Sequence, residues 1–376
     1  MKNKLVCLSF FFLSFLVIYQ SGSSQSGNEN LIRLKADFAK TGSIKMSELF
    51  SEIRYIPLET NQECLIGSMN IPVFGKEIII KSHDNTSIFR FSEQGKFLNK
   101  IGSVGRGPGE YQDYCDVVLN GDTIYVVSNF SDNIICYSLD GVFLKNYHLN
   151  VGAHPKSLVQ LRDKSFMVSL SNPSNLGNII KTDKDFNIKA GFIKNIPLKS
   201  NPLPFRFQKS KNKIYYYYNY LDTIFEISKG YPIPSNVIDY GDYNISKEKR
   251  SVYEKNNAIL NKPSILDFSA SEEFLTLYTY YPFNGGIYTT LLRIADGKQT
   301  TWNKLINDID NGTLERWPGF LAGNNLVFCL MASTILDRFK NMTKAEKSDP
   351  KNSVFVNLAS KITPESNPVI MICKLK

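Results

Sequence analysis

The chain has 376 residues, 43% of them hydrophobic and 21% charged, with a formal net charge of +9. This is the composition of a globular protein that can bury a core, and it excludes a long disordered chain. The lysines are scattered and no Lys/Arg run carries interleaved aromatic residues, so we expect no nucleic-acid partner.

Residues 1–24 are predicted to be a signal peptide. Lys2 and Lys4 form a basic start, an apolar run extends from position 5 to 19, and small residues follow it. The apolar run is short for a bilayer span, although an uncleaved anchor is the alternative. We therefore expect export and removal of this segment.

The mature domain, residues 25–376, is predicted to reside in the periplasm or at the cell surface of a Gram-negative bacterium. We expect a monomer without a transmembrane span. Cys7, the only Cys near the apolar run, lies at its start, so lipidation is not expected. An odd number of widely spaced cysteines is no disulfide framework, although one oxidised pair stays open in an exported protein. These cysteines are Cys64, Cys115, Cys136, Cys329 and Cys373.

A degenerate repeat of roughly 45 residues runs along the mature chain. The segments 87–98 and 133–144 each read as an alternating strand, a Gly turn and another strand, in which Phe89 matches Ile135. Weaker copies begin near residues 180, 224 and 292, and the strand 369–375 fits the last place. A further strand precedes each copy, at 77–81, 123–128, 165–170, 213–218, 273–278 and 325–331.

The repeat predicts six units of about four strands each. One such unit cannot bury both of its faces, and radial stacking of neighbours solves that problem. We therefore predict an all-β fold, a six-bladed β-propeller with small helical insertions. A β-sandwich is the alternative, but a sandwich would not require six copies of one pattern.

Three segments stand outside the repeat. The strand 53–58 is predicted to pair near the C-terminal strand and close the ring. Residues 246–261 are predicted to be helical, with a Ser as N-cap. A second helical insertion is predicted at about 334–362, where Asp349 caps and Pro350 fits the first helical position.

Five short motifs point to a known family. They are residues 56–60 (IPLET), 65–67 (LIG), 91–97 (FSEQGKF), 101–111 (IGSVGRGPGEY) and 367–375 (NPVIMICKL). On these motifs the chain resembles, from about residue 50 to its end, exported six-bladed β-propellers of Gram-negative bacteria. Those proteins are related to NHL-repeat propellers, and their family is classified as a domain of unknown function. Many of those proteins are lipoproteins, and this chain departs from them because no Cys follows its apolar run directly. The resemblance implies a fold and no established activity.

One face of the propeller is predicted to bind a ligand. In a four-stranded blade, the start of the inner strand shares a face with the loop between the second and third strands. We call this the loop face, and the opposite face, with the turns at Gly95 and Gly141, the turn face. The loops of the loop face are rich in Asn, Asp and Tyr. These residue types suit ligand recognition, but they are also the types that form turns. The candidate ligand-binding residues are His83, Asp84, Asn85, Arg106, Glu110, Tyr111, Asn129, Asp132, Tyr220, Tyr281 and Asn284.

The run from Gly105 to Gly109 is not a phosphate-binding loop, because the following Lys-Ser/Thr is missing. It reads as a tight turn between blades, with Glu110 and Tyr111 opening the next inner strand. Arg106 remains a candidate for an anion contact at the central channel.

The sequence contains no catalytic constellation, and we expect no metal site and no cofactor. The predicted function is binding of a glycan, a peptide or an envelope protein through the loop face. The alternative is a propeller hydrolase or lyase acting on glycan or peptide, with His83 and loop carboxylates as catalytic or metal-binding groups. The absence of a motif favours the non-enzymatic interpretation.

Overall fold

A computed structural model describes most of the chain after residue 31. The described residues are 32–35, 42–67, 73–75, 77–82, 84, 86–129, 131–174, 176–193, 206–217, 223–240, 263–281, 286–314 and 319–376. The predicted signal peptide and the predicted helix at 246–261 lie outside these residues. The bounds of the mature domain therefore stay a prediction.

Six antiparallel sheets stand side by side with their first strands innermost, so the predicted six-bladed β-propeller is confirmed. From the innermost strand outward, blade 1 has Val73–Phe74, Ile78–Lys81, Ile88–Phe91 and Phe97–Lys100; blade 2 has Tyr114–Asn120, Thr123–Ser128, Asn133–Ser138 and Phe143–His148; blade 3 has Pro155–Gln160, Phe166–Ser174, Gly177–Thr182 and Ile188–Phe192. Blade 4 has Phe207–Lys209, Ile214–Tyr217, Thr223–Ser228 and Tyr231–Asp239; blade 5 has Ser264–Ala270, Phe274–Tyr281, Gly286–Arg293 and Gln299–Trp302; blade 6 has Phe320–Ala322, Asn325–Leu330, Val369–Leu375 and Phe50–Pro57.

The core lies between the blades, because the middle strands carry apolar side chains on both faces. In blade 2, Ile124 and Val126 belong to the apolar cluster shared with blade 1. Val127 and Ile134, from the opposite face of the same sheet, belong to the cluster shared with blade 3. Each sheet is thus buried on both sides by its neighbours, as the repeat predicted.

The ring is closed by the strand that the sequence predicted. Phe50–Pro57 pairs antiparallel with Val369–Leu375 and forms the outer strand of blade 6, with Ile56 opposite Ile370. The same two isoleucines pack with Phe89 of blade 1 in one buried cluster. The first and last parts of the described chain are therefore joined within one blade.

The segment before this closing strand crosses blades 4 and 5, which the sequence did not predict. Ile32–Lys35 adds a fifth, parallel strand to the outer edge of blade 4 and buries Leu34 between blades 4 and 5. Gln299 of blade 5 accepts a hydrogen bond from the Lys35 amide (3.0 Å) and donates one to the Arg33 carbonyl (2.7 Å). Ser43–Lys45 then pairs in parallel with Lys304–Ile306, and a short helix, α1 (Met46–Leu49), leads into blade 6.

Helices occupy the predicted insertion in blade 6. They are α2 (Ala332–Asn341), α3 (Lys344–Ser348), a 3₁₀ turn (Pro350–Asn352) and α4 (Ser353–Ala359). The Asp349 carboxylate accepts a hydrogen bond from the Lys351 amide (3.0 Å), as its predicted capping role requires. Phe355 and Leu358 are buried in the cluster shared by blades 5 and 6, so the insertion packs against the propeller.

All five cysteines of the described chain are free thiols. Burial raises the pKa of the Cys115 and Cys136 thiols to about 12. No disulfide bond joins any two of these five cysteines in the structure.

Candidate functional site

The predicted loop-face residues do not form one cluster in the described part of the chain. His83, Asn85, Tyr220 and Asn284 lie outside the described residues, so their predicted roles stay untested. Asp84 is exposed and lies close against Gly67. The remaining candidates belong to two local groups, one before blade 2 and one between blades 2 and 3, with Tyr281 alone in blade 5.

Glu110 and Tyr111 do not open the inner strand of blade 2, which begins at Tyr114. They form a separate two-residue strand, parallel to Ser103–Val104. The Glu110 carboxylate accepts a hydrogen bond from the Gly107 amide (2.7 Å) and so holds its own loop closed. Tyr111 is buried, and its hydroxyl donates to the Ile101 carbonyl (3.0 Å). Both side chains therefore stabilise their own loop. The prediction that they open the inner strand of blade 2 is wrong, because that strand begins three residues after Tyr111.

Asn129 and Asp132 lie in a polar network at the start of blade 3. The Asn129 side chain donates to the Asp113 carboxylate (3.1 Å) and accepts from Lys156 Nζ (2.7 Å). Asp132 contacts Nδ1 of His154 at 3.0 Å. The sequence interpretation had not chosen Asp113, Lys156 or His154 as candidates, although each immediately precedes or opens an inner strand.

Arg106 is exposed at the tip of its loop and does not line the large cavity described below. Tyr281 packs edge-to-face against Tyr288, with ring centroids 6.2 Å apart.

A large cavity opens on the turn face, opposite to the predicted one. Its volume is about 980 Å³, and it follows the propeller axis with a branch between blades 6 and 1. We call it the axial cavity. Its mouth is lined by the ends of the inner strands and the turns that follow them: Asn120, Gln160, Lys209, Ser271 and Asn324. A cavity of this size can hold a small oligosaccharide or peptide.

Hydrogen bonds between blades fix the mouth of the axial cavity. The Asn120 amide donates to the Gln160 side chain (2.5 Å), which joins blades 2 and 3. Lys209 of blade 4 reaches the Gln160 carbonyl (3.3 Å). Glu272 of blade 5 accepts from the Ser210 hydroxyl (2.8 Å), which joins blades 4 and 5. The opening is thus a preformed rim rather than a set of separate turns.

At the inner end of the axial cavity, Lys81 of blade 1 interacts electrostatically with charged side chains of three other blades. We call Lys81, Asp116, Arg206 and Asp267 the charged ring. Lys81 Nζ lies 3.9 Å from the Asp116 carboxylate, and both side chains are almost fully buried. Ser157 of blade 3 donates a hydrogen bond to the same carboxylate (2.7 Å). Lys81, Asp116 and Arg206 line the cavity itself.

A repeated β-bulge places the polar side chains of this ring. The pairing of the inner strand with the second strand shifts between Tyr114 and Asp116 in blade 2. The same shift precedes Ser157 in blade 3 and Asp267 in blade 5. A bulge turns the following side chain away from the regular alternation of the strand. The three bulges therefore put one polar residue of each inner strand at the same level of the axis.

Burial controls the titration of the charged ring. Burial, and after it the positive charge of Arg206, lowers the pKa of Lys81 from 10.5 to about 8. Asp116 and Asp267 oppose both effects. Burial also raises the pKa of the Asp267 carboxyl, against the influence of Arg206 and Lys81. A perturbed group in a cleft is a common mark of a functional site.

Positive charge predominates in the axial cavity. The lining has five basic side chains (Arg54, Lys81, Arg206, Lys209 and Lys211) and three acidic ones (Glu93, Asp116 and Glu272). Within the described part of the chain, Arg54, Arg206 and Lys211 make no ion pair. Glu272 and Asp116 already accept hydrogen bonds from serine hydroxyls. The cavity can therefore attract a negatively charged ligand.

A signal for this site was present in the sequence. Lys81 ends the run Ile78-Ile-Ile-Lys81, and Asp116 and Asp267 lie inside inner strands that are mostly apolar. A charged residue in an apolar strand is more informative than a polar residue in a loop, because its burial is costly. Only the fold shows that these three charges converge.

The described residues contain no group of three His, Cys, Asp or Glu side chains arranged to hold a metal ion. His83 lies outside them, so the metal-dependent alternative stays untested. No helix among the described residues is both long and apolar enough to cross a membrane.

Comparison with known proteins supports the fold. A family model described as "Domain of unknown function (DUF4934)" matches residues 29–374. A Bacteroides fragilis protein inferred to be exported is similar at 18% identity, covering 92% of this chain and 99% of that chain, with a TM-score of 0.75. A DUF4221 family member from Bacteroides vulgatus is similar at 11% identity, covering 87% and 98%, with a TM-score of 0.52. No curated protein matches the chain.

Proposed function

The chain belongs to the DUF4934 family of domains of unknown function, and from this premise we propose that it is an exported binding module whose ligand enters the axial cavity. The single observation that carries the proposal is the convergence of the charged ring at the inner end of a cavity of about 980 Å³. Evolution retains buried charges at a cost in stability, and such groups are concentrated at functional sites.

The shape and chemistry of the cavity favour binding over catalysis. Its rim is held by hydrogen bonds between blades, so that the opening is preformed and little order has to be gained on binding. Apolar side chains such as Phe207 and Phe320 line it beside the charges, as in most small-ligand sites. A glycan or a peptide fits this description. Export rests on the predicted signal peptide.

The loop face remains a second predicted surface, for a protein partner. The polar network of Asn129, Asp132 and Lys156 provides adaptable hydrogen bonding there. The hydrolase or lyase alternative still rests on His83 and loop carboxylates, and the geometry of the described residues adds no support to it.

An array of soluble oligosaccharides and peptides tests the proposal. Ala322→Trp should obstruct the cavity, because Ala322 lines it at the end of the inner strand of blade 6. Arg106→Glu is the matched control on the loop face. We expect at least one ligand to bind the wild type and Arg106→Glu equally and to bind Ala322→Trp at least about ten-fold more weakly. Asn120→Trp, at the rim, is a second obstructing variant in case Ala322→Trp fails to fold.

Ligands that bind folded Ala322→Trp and Asn120→Trp as well as wild type would contradict the proposal. Loss of binding in Arg106→Glu alone would instead support the loop face. An array without any binder would also count against a binding module for this class of ligand.

A further inference from the structure

We infer that the ligand of the axial cavity carries an anionic group, a carboxylate or a phosphate, held between Lys81 and Arg206. This inference rests on the proposed function and names the chemistry of its ligand. It follows from three observations: the spare hydrogen-bond donors of the two cations, the engagement of the nearby acids, and the unfavourable electrostatic interaction of the two cations with each other.

Lys81 has donors to spare. Its Nζ lies 3.9 Å from the Asp116 carboxylate, which is beyond hydrogen-bonding distance, and no other described residue accepts a hydrogen bond from it. The Asp116 carboxylate is itself engaged, because it accepts from the Ser157 hydroxyl (2.7 Å) and from the Val117 amide (2.9 Å). A buried ammonium with three unused donors is costly unless a ligand supplies the acceptors.

Arg206 offers a planar guanidinium on the cavity wall. It forms no ion pair or hydrogen bond with the other described residues, although it lies near enough to Lys81 to influence its titration. Arginine binds carboxylate and phosphate groups through two parallel hydrogen bonds. An anion between Arg206 and Lys81 would satisfy donors of both residues.

Other charged groups around Lys81 do not remove the need for an anion. Asp116, Asp267, Arg206 and Cys115 influence Lys81 electrostatically, and burial and Arg206 together outweigh the carboxylates, because the pKa of Lys81 remains lowered. Burial also raises the pKa of the Asp267 carboxyl. An anion would offset the repulsion between Lys81 and Arg206.

The acids nearer the mouth leave the inner end accessible to an anion. Glu272 is bound to the Ser210 hydroxyl (2.8 Å) and to the Asn212 amide, and Glu93 is exposed on the turn after blade 1's third strand. Lys209 and Lys211 of blade 4 line the same mouth. Over the lining as a whole, five basic side chains outnumber three acidic ones, which favours the approach of an anion.

Isothermal titration calorimetry on the mature full-length chain tests this inference. The probes are trigalacturonate for the carboxylate, pyrophosphate for the phosphate, and galactotriose as the neutral match to the first. We expect one of the two anions to bind and galactotriose to bind at least about ten-fold more weakly. Arg206→Gln should weaken anion binding about 30-fold, and Arg106→Gln on the loop face should leave it unchanged.

Proton uptake gives a readout that a merely structural role would not change. An anion beside Lys81 raises the pKa of that lysine, so binding near pH 8 should take up about 0.4 proton, measured in buffers of different ionisation enthalpy. Lys81→Met should abolish the uptake. If Arg206→Gln does not fold, Lys209→Gln removes a positive charge at the mouth of the cavity instead. This variant should reduce the affinity for the anion about three-fold.

Failure of both anions to bind with a millimolar or better Kd would overturn the inference. So would equal binding of trigalacturonate and galactotriose, or binding unaffected by Arg206→Gln and without proton uptake. A neutral ligand that is lost in Ala322→Trp but not in Arg206→Gln would leave the axial cavity as the binding site and refute only its anionic ligand.

Discussion

Asp116→Asn is expected to lower the free energy of unfolding by about 3 kcal/mol at about pH 5, because it leaves a charged Lys81 buried without its nearest counterion. The substitution keeps the size of the side chain and its capacity to accept a hydrogen bond from Ser157. The loss is therefore electrostatic and is measured from urea denaturation followed by tryptophan and tyrosine fluorescence.

The destabilisation should depend on pH. Lys81 titrates near pH 8 in the folded chain and has an ordinary pKa of 10.5, so the unfolded state binds more protons between these values and stability rises with pH there. Without the Asp116 charge, the folded pKa of Lys81 falls further. The penalty of Asp116→Asn should be full below about pH 5, where Lys81 is charged in both folded proteins, and about half as large at about pH 7. It should largely vanish at about pH 9.5, where Lys81 is neutral in both folded proteins.

Asp140→Asn is the matched control for this experiment. Asp140 also pairs with a basic group, Arg90 (3.0 Å), but its side chain is 84% exposed, so we expect a change within about 0.5 kcal/mol at either pH. A cost for Asp116→Asn below about 1 kcal/mol, or one that does not change with pH, would show that Lys81 does not depend on Asp116.

Phe89→Ala is expected to cost about 4 kcal/mol, because Phe89 is 1% exposed in the cluster where the ring closes. Its ring packs edge-to-face against Phe91 and Phe97 within blade 1. It also shares the cluster with Ile56 and Ile370 of blade 6. The variant removes packing on which two blades and the paired first and last strands depend.

Phe143→Ala is the matched control for the ring-closure variant. Phe143 lies on the outer strand of blade 2 and is 41% exposed, so its truncation should cost less than about 1 kcal/mol. Equal destabilisation by the two variants, in the same urea series, would mean that the junction of blades 6 and 1 does not carry the stability assigned to it.

Most of the fold could be predicted because the repeat is local. Phe89 and Ile135 occupy equivalent places in consecutive units, and the Gly turns after their strands mark where each unit folds back. The closing strand was recognisable by its alternation before Pro57. These features depend on neighbours in sequence, so the residues themselves carry the signal.

The remaining features depend on contacts between distant segments. Ile32–Lys35 is only four residues long and belongs to blade 4 through pairing with residues about 200 positions later, so no local pattern predicts it. The charged ring is similar, since Lys81, Asp116 and Asp267 come from three blades. Each charge could be noticed in its strand, but their proximity required the ring geometry and the bulges that turn them inward.

The loop face was predicted from the composition of the loops, and the charged residues within the strands were not considered. Glu110 and Tyr111 illustrate the difficulty, because both residue types suit recognition and both are used here to hold a loop. Asn129 is likewise occupied by Asp113 and Lys156. Polar loop residues satisfy the backbone and one another first, so their type alone does not identify a ligand site.

A crystal structure of the mature chain soaked with trigalacturonate tests most directly whether the axial cavity binds an anion. We expect electron density for a carboxylate within hydrogen-bonding distance of both Arg206 and Lys81, with the rest of the sugar chain directed towards Gln160 and Lys209. Density on the loop face beside Arg106 or Asn129, with an empty axial cavity, would contradict the account.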